Sequence, residues 1–303
     1  MSTYTASRHY EVYLQQIADK FYLGRIVTFA YIPEALANYN WKITTEKNVV
    51  FIIKIFDELN QHRFENYLYV SKQLKSIGID SVTFLRLPSG GYIYHTDHFM
   101  AIVSPQISGL NPTENGDDIS ESIGVLLALF HLSITQLPFE NEGWLHIRAL
   151  PEKTSNESSL LQKARATIEY TKNIFQKRLP TGIIHGDIIR TNIFVADNDV
   201  HNIVALYDFE TAERNFYIFD IARSALEFCQ NDTRTMLEQV KIDKMIGGYE
   251  KRRKLSDEEK QVLPQAMLYV AAITAFWFVR MGYPEIAENY IDIALLFYRS
   301  NQL

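Results

Sequence analysis

The chemistry-bearing stretch of this chain reads Ile183-Ile184-His185-Gly186-Asp187-Ile188-Ile189-Arg190-Thr191-Asn192-Ile193-Phe194. After the polar turn Ala196-Asp197-Asn198-Asp199 it continues as Val204-Ala205-Leu206-Tyr207-Asp208-Phe209-Glu210. Residues 193–195 and 202–206 have the apolar, β-branched character of two strands of one hairpin around that turn. Asp187 and Asn192 lie on the loop entering the hairpin and Asp208 just past its exit, and a hairpin brings its two ends together. Two carboxylates and a carboxamide facing one small volume are hard oxygen donors, suited to Mg²⁺ with phosphate oxygens completing its shell. Asp, Asn and Gly are also ordinary turn residues, and His-Gly-Asp alone fits a loop in any protein. The ordered set favours the chemical reading, with apolar strands before His185, after Asn192 and before Asp208. His185 is expected to brace the loop with its ring, and Gly186 to serve the backbone.

Two strands alone are barely stable in water, so the hairpin must be held by its surroundings. Those surroundings are helical by period: residues 118–132, with apolar positions at Ile119, Ile123, Leu126, Leu127 and Phe130, then 156–177, 224–249, 256–281 and 285–298. The chain before residue 105 differs. A first helix, with Tyr10, Tyr13, Leu14, Ile17 and Phe21 on one face, leads into β-rich runs at 25–30, 39–45 and 49–56. A helix over 62–77 and further runs at 81–87 and 99–103 follow. Breakers fall between them at Pro33, Glu46-Lys47-Asn48 and Pro88-Ser89-Gly90-Gly91. The pattern predicts an α+β fold in two lobes: 1–105, an antiparallel sheet with one packed helix, and 106–303, mainly helical. A short hinge falls near 104–109.

A net charge of -6 argues against a nucleic-acid binder, which needs a positive face for phosphate contacts. The one basic run, Lys251-Arg252-Arg253-Lys254, is answered at once by Asp257, Glu258 and Glu259. A single cysteine, Cys229, makes no internal disulfide and points to a reducing compartment. The first twenty residues lack the apolar core of a secretory signal. The nearly apolar run 267–279 is shorter than the roughly twenty residues of a membrane span. The expectation is a cytoplasmic protein without a membrane or nucleic-acid partner, its oligomeric state left open.

His-Gly-Asp, then Asn five residues after the Asp, then an apolar strand into Asp-Phe-Glu, resembles the catalytic and metal loops of the aminoglycoside phosphotransferase and choline kinase family. These are small-molecule relatives of the protein kinases. The resemblance implies a bilobal protein kinase-like fold, ATP and Mg²⁺ as cofactors, and a small-molecule substrate phosphorylated on a hydroxyl. It implies that Asp187 accepts or orients the hydroxyl proton, that Arg190 acts with it in the catalytic loop, and that Asn192 and Asp208 hold magnesium.

Lys54, a single charge in the apolar run Val49-Val50-Phe51-Ile52-Ile53-Lys54-Ile55-Phe56, would meet the α- and β-phosphates and Glu65, since a buried ammonium is costly without an anion. Glu65 lies with Leu68 and Leu74 on a helix that resembles the family's lysine-pairing helix, and Glu58 is also near. The other reading is that Lys54 is the outward residue of an edge strand. The backbone at Ser104, Gln106 and Ile107 would meet adenine. Asp220, in Phe219-Asp220-Ile221-Ala222, resembles the family's brace of the catalytic loop, and a helix N-cap is compatible with that. His131 reads as a packed core histidine.

Arg190 and the tail from Gly248-Tyr249 to Phe276-Trp277-Phe278-Val279-Arg280 resemble the catalytic loop and C-terminal helices of bacterial homoserine kinases of this fold. A homoserine-like amino alcohol therefore ranks first as acceptor, ahead of an aminoglycoside, choline or a sugar. Trp277, Phe278, Arg280, Tyr283, Glu210 and Glu213 are candidates for its pocket. No glycine lies between Gly24 and Gly78, where protein kinases cover the phosphates with a glycine-rich turn. That keeps open a catalytically weak kinase-fold binding protein, whereas the presence of Lys54, Asp187, Asn192 and Asp208 together favours the enzyme.

Overall fold

A computed structural model describes residues 10–32, 39–56, 60–113, 118–141, 143–145, 150, 152 and 157–301. The chain divides into two compact units, residues 1–64 with 81–108, and residues 65–80 with 109–303. Residues 33–38, part of the glycine-free stretch that raised the binding-protein alternative, lie outside the described residues.

The first unit is built on a five-stranded antiparallel sheet of β1 (Ile26–Ile32), β2 (Tyr39–Thr45), β3 (Val50–Phe56), β4 (Tyr94–His95) and β5 (Met100–Pro105), in the order β1-β2-β3-β5-β4. Successive side chains on a strand face opposite sides. Ile53 and Ile55 of β3 accordingly join Trp41, Ile43, Ala101 and Val103 in one buried face, which packs with Leu14, Ile17 and Ala18 of helix α1 (Leu14–Lys20). Lys54 points to the other face, opposite Asn40 on β2 and Ile102 on β5. β3 is an interior strand, so the edge-strand reading of Lys54 falls. Residues 81–87 form no ladder strand. Ser81 and Phe84, three apart, are the buried positions there, and a strand would bury every second residue.

In the second unit, the part of helix α2 (Gln61–Ser76) from Glu65 onward is joined by α3 (Ser120–Ser133), α4 (Ser159–Thr171), α5 (Tyr217–Phe228), α6 (Gln239–Glu250), α7 (Asp257–Arg280) and α8 (Pro284–Ser300). Two small ladders lie among them: β6 (Thr181–Ile184) with β9 (Glu213–Phe216), and β7 (Ile193–Ala196) with β8 (Asp199–Leu206). α3 and α6 cross at glycines. A methyl group on Gly124 would overlap the carbonyl oxygen of Met245, and one on Gly248 would overlap that of Glu121. α7 opens with a capping box, Ser256 and Glu259 each accepting the other's backbone N–H. It is long and apolar enough to cross a membrane, but 78% of its apolar window is buried inside the protein, the mark of a core helix.

The helix expected over 224–249 is two helices. Between them the Asn231 side chain accepts from the N–H groups of Thr235 and Met236, and Arg234 adopts a left-handed φ of 54°. Asn and Thr offer the backbone this local alternative to helix.

Candidate active site

Asp220, in the first turn of α5, is fully buried and organises the loop after β6. Its Oδ2 accepts from the His185 N–H at 2.8 Å and its Oδ1 from the Gly186 N–H at 2.7 Å. His131 on α3 places Nε2 3.0 Å from the same Oδ2, while its Nδ1 lies 2.8 Å from the Tyr249 hydroxyl. Burial by itself would raise the Asp220 carboxyl; the His131 contact and the His185 amide outweigh it and hold the group below its ordinary value. Burial pushes His131 below 6.5, so the ring is neutral, donating from Nε2 and accepting at Nδ1. Asp220 is thus the loop brace that the resemblance implied.

The loop then turns at Gly186, whose φ of 82° is a conformation that costs glycine little and other residues more. The Asp187 N–H donates to His185 Nδ1 at 3.2 Å, and His185 Nε2, carrying the proton, reaches the Tyr207 carbonyl at 3.0 Å. This ring is also neutral, its basicity lowered by burial. It links the loop to the hairpin exit as a bracing group.

At the Asp187 side chain, Arg223 Nη2 and Nε lie 2.9 and 3.1 Å from Oδ1. Asn192 donates through Nδ2 to the Asp187 carbonyl at 2.9 Å and to Oδ2 at 3.3 Å. Asn192 closes a 3-10 turn, Arg190–Asn192, immediately before β7. Its carbonyl accepts the Tyr207 N–H at 3.0 Å, next to the Ile193–Leu206 pair, so Asn192 and Asp208 stand at the open end of one hairpin. Asp208 takes a left-handed conformation, φ 70° and ψ 60°, uncommon for a residue with a side chain though Asp tolerates it better than most. Its N–H donates to the buried Tyr67 hydroxyl at 3.0 Å. Phe209 packs among Tyr67, Phe130 and His185. Burial and the adjoining Asp208 charge keep the Tyr67 phenol well above its ordinary value, hence neutral.

The donor set fits a hard divalent cation. The Asn192 amide nitrogen donates to Asp187, and the Asn192 Oδ1 and the Asp208 carboxylate are hard oxygen donors from the same end of the hairpin. Among the described residues no three His, Cys, Asp or Glu side chains could enclose an ion. A cation here would draw few protein ligands and take the rest from a ligand's oxygens, which is the habit of Mg²⁺ with phosphates.

Of the other expected residues, Lys54 lies on β3 of the first unit, its ammonium 5.2 Å from the Phe56 ring centre. Ser104 is buried on β5 opposite Ile52, and the Gln106 N–H bonds to the Val50 carbonyl, with half-buried Ile107 following. Glu65 is half-buried on α2. The Arg190 guanidinium donates to the Thr113 carbonyl at 2.7 Å, lies 3.8 Å from Glu227 and stacks over Phe228. Glu213, a pocket candidate, is instead buried, accepting from the Gly143 N–H and Asn215. Arg223 was missed: a helix was expected from residue 224, one past it, whereas the helix carrying it begins at Tyr217. Its spacing of three from Asp220 was the available signal, since residues three apart share a helix face.

An antiparallel sheet ahead of a helical unit, a His-Gly-Asp loop braced by a buried carboxylate, and an Asn-to-Asp hairpin define a small-molecule phosphotransferase of protein kinase-like fold. Residues 28–255, about three quarters of the sequence, match the family described as "Phosphotransferase enzyme family", and the chain belongs to it. A homoserine kinase of Neisseria meningitidis serogroup B is 25% identical over 299 residues, covering 95% of this chain and 94% of its own. Among solved structures, a microcompartment-associated aminopropanol kinase superposes with a TM-score of 0.71 at 15% identity, covering 97% of this chain and 99% of the other. An amicoumacin kinase in complex with AMP-PNP and Ca²⁺ gives 0.71 at 13% identity, with 96% of each chain covered.

Proposed function

We propose that this kinase moves the γ-phosphate of ATP to a hydroxyl of a small molecule, with a homoserine-like amino alcohol ranked first and aminoglycosides, choline and sugars after it. The observation that carries the reading is the Asp187 carboxylate, 23% exposed, held between Asn192 and Arg223 on a loop whose backbone is fixed by Asp220. Phosphoryl transfer asks little covalent work of the protein and much positioning. Asp187 orients the acceptor hydroxyl and takes its proton as the new bond forms, and Arg190 belongs to the same loop. Asn192 and Asp208 are the residues that would hold Mg²⁺, which when bound neutralises charge on the phosphate oxygens. Lys54 and Glu65 are assigned to the α- and β-phosphates, and the backbone of Ser104, Gln106 and Ile107 to adenine. The ranking of homoserine rests on the meningococcal relative and on full-length similarity to it. A lone, buried Cys229 agrees with a cytoplasmic setting.

A coupled ADP-release screen with ATP and Mg²⁺ over homoserine, 3-aminopropan-1-ol, choline, kanamycin and glucose, with product mass determined, tests this. Acceptor-dependent ADP release strongest with homoserine, abolished in Asp187→Ala, is the expected result. Release no faster with any acceptor than without one, or full transfer by Asp187→Ala, refutes it.

A further inference from the structure

Helix α5 meets the catalytic loop nearly residue by residue. Asp220 takes the His185 and Gly186 amides, Arg223 takes the Asp187 carboxylate, the Ser224 hydroxyl donates to the Ile188 carbonyl at 3.2 Å, and Glu227 faces Arg190 at 3.8 Å. Positions 220, 223, 224 and 227 are one face of a helix. Three of these contacts fix backbone or a loop side chain with no assigned proton to move. The contact from Arg223 falls on the acid that the proposed reaction uses.

Arg223 is only 4% exposed, and its guanidinium centre lies 5.7 Å from the ring centres of both Trp144 and Tyr290. The Tyr290 hydroxyl is itself tied at 2.7 Å to Glu227, one turn further along α5. The cation is therefore immobilised on several sides. Among the described residues Nη1 is buried without a hydrogen-bond partner, while Nε and Nη2 both converge on Asp187 Oδ1. A buried ion pair is weak support for stability, because desolvation offsets much of the attraction. The geometry has a different effect. The Asn192 contact to Oδ2, at 3.3 Å, is too long to orient a carboxylate alone. Two donors from a rigid fork on Oδ1 stop rotation about the Cβ–Cγ bond and leave Oδ2 as the oxygen that can receive a hydroxyl.

We infer that Arg223 is the positioning residue of the reaction, setting which oxygen of Asp187 meets the acceptor and at what angle. The inference rests on the reading of Asp187 as the hydroxyl-orienting group. The test compares Arg223→Met and Arg223→Lys with the wild type, in both the native and the Asp187→Asn backgrounds, using L-homoserine with ATP and Mg²⁺. Arg223→Met should lower kcat about 10- to 100-fold with KM for both substrates within about threefold, because misplacing a reacting group by an ångström has effects of this size. Arg223→Lys should recover part of the loss. In the Asp187→Asn background Arg223→Met should lower kcat no further, as expected for two residues acting as a unit. An equal loss in both backgrounds, an effect confined to KM, or kcat within about threefold of wild type overturns the inference. If Arg223→Met does not fold, Arg223→Lys decides by the same criteria, with an intermediate kcat at an unchanged melting temperature in favour and a wild-type kcat against. Failure of the kinase reading looks different: no acceptor in the screen raises ADP release in the wild type, and the positioning role falls with it.

Discussion

Replacing Asp220 by Asn changes one buried oxygen into an NH₂ group and leaves the shape intact. In the native protein the two carboxylate oxygens serve different donors, Oδ1 the Gly186 N–H and Oδ2 both the His185 N–H and His131 Nε2. Whichever way the new amide is turned, a backbone N–H faces another donor. A buried unsatisfied donor costs about 1–3 kcal/mol, and the surviving bond loses the strength that the charge lent it. The His131 side can adjust, because a switched tautomer would accept from the amide and donate to the Tyr249 hydroxyl. A net loss of about 3 kcal/mol follows, or roughly 6–12 °C in melting temperature at the few degrees per kcal/mol usual for chains of this size. The released loop also carries Asp187, so kcat should fall about 10- to 100-fold while nucleotide affinity is retained. Thermal melting by circular dichroism and steady-state ADP release on one preparation measure both. A variant that melts within about 2 °C of wild type and turns over at its rate would show that the loop holds its shape without the brace, and the reasoning from α5 would be wrong.

Gly124→Ala should destabilise by about 1–3 kcal/mol through overpacking at the α3–α6 crossing. Gly247→Ala, on α6 but with no atom within 4 Å of the added carbon, should be neutral or slightly stabilising; similar melting temperatures for the two would contradict the crossing geometry. His131 and His185 have folded-state pKa values lowered by burial from 6.5, so their contribution is fully present above that pH. It is lost as pH falls below 6.5, because the unfolded chain then binds protons that the fold excludes. Stability should therefore drop as pH falls below 6.5, by up to about 1.4 kcal/mol per pH unit for each histidine until its folded-state ring takes up a proton, and His131→Gln should flatten the slope by one such increment; an unchanged slope rejects the neutral-ring assignment. In thermal-shift measurements Asp208→Asn should remove most of the extra stabilisation that Mg²⁺ adds to ATP, and an undiminished gain would exclude Asp208 as the cation's ligand.

What the letters disclosed and what they hid divide along sequence distance. The β7–β8 hairpin was legible because its strands and polar turn are contiguous, and a hairpin's ends meet by construction. That alone put Asn192 beside the start of Asp-Phe-Glu. β2 and β3 stood out for the same local reason, bounded runs of β-forming residues between breakers. β9 did not, because Glu213-Arg214-Asn215-Phe216 has no apolar alternation and is a strand only through its pairing with β6. The break between α5 and α6 was obscured because its turn is made by the Asn231 side chain, within a stretch that keeps helical periodicity on both flanks. The cost of that miss fell on the site. Treating 224–249 as one helix left Arg223 just outside it, and with it the partner of Asp187, thirty-six residues away in sequence. A loop motif announces which residues could react; which oxygen of Asp187 is free to do so is decided by a helix whose own sequence, read alone, shows only an arginine following Asp-Ile-Ala.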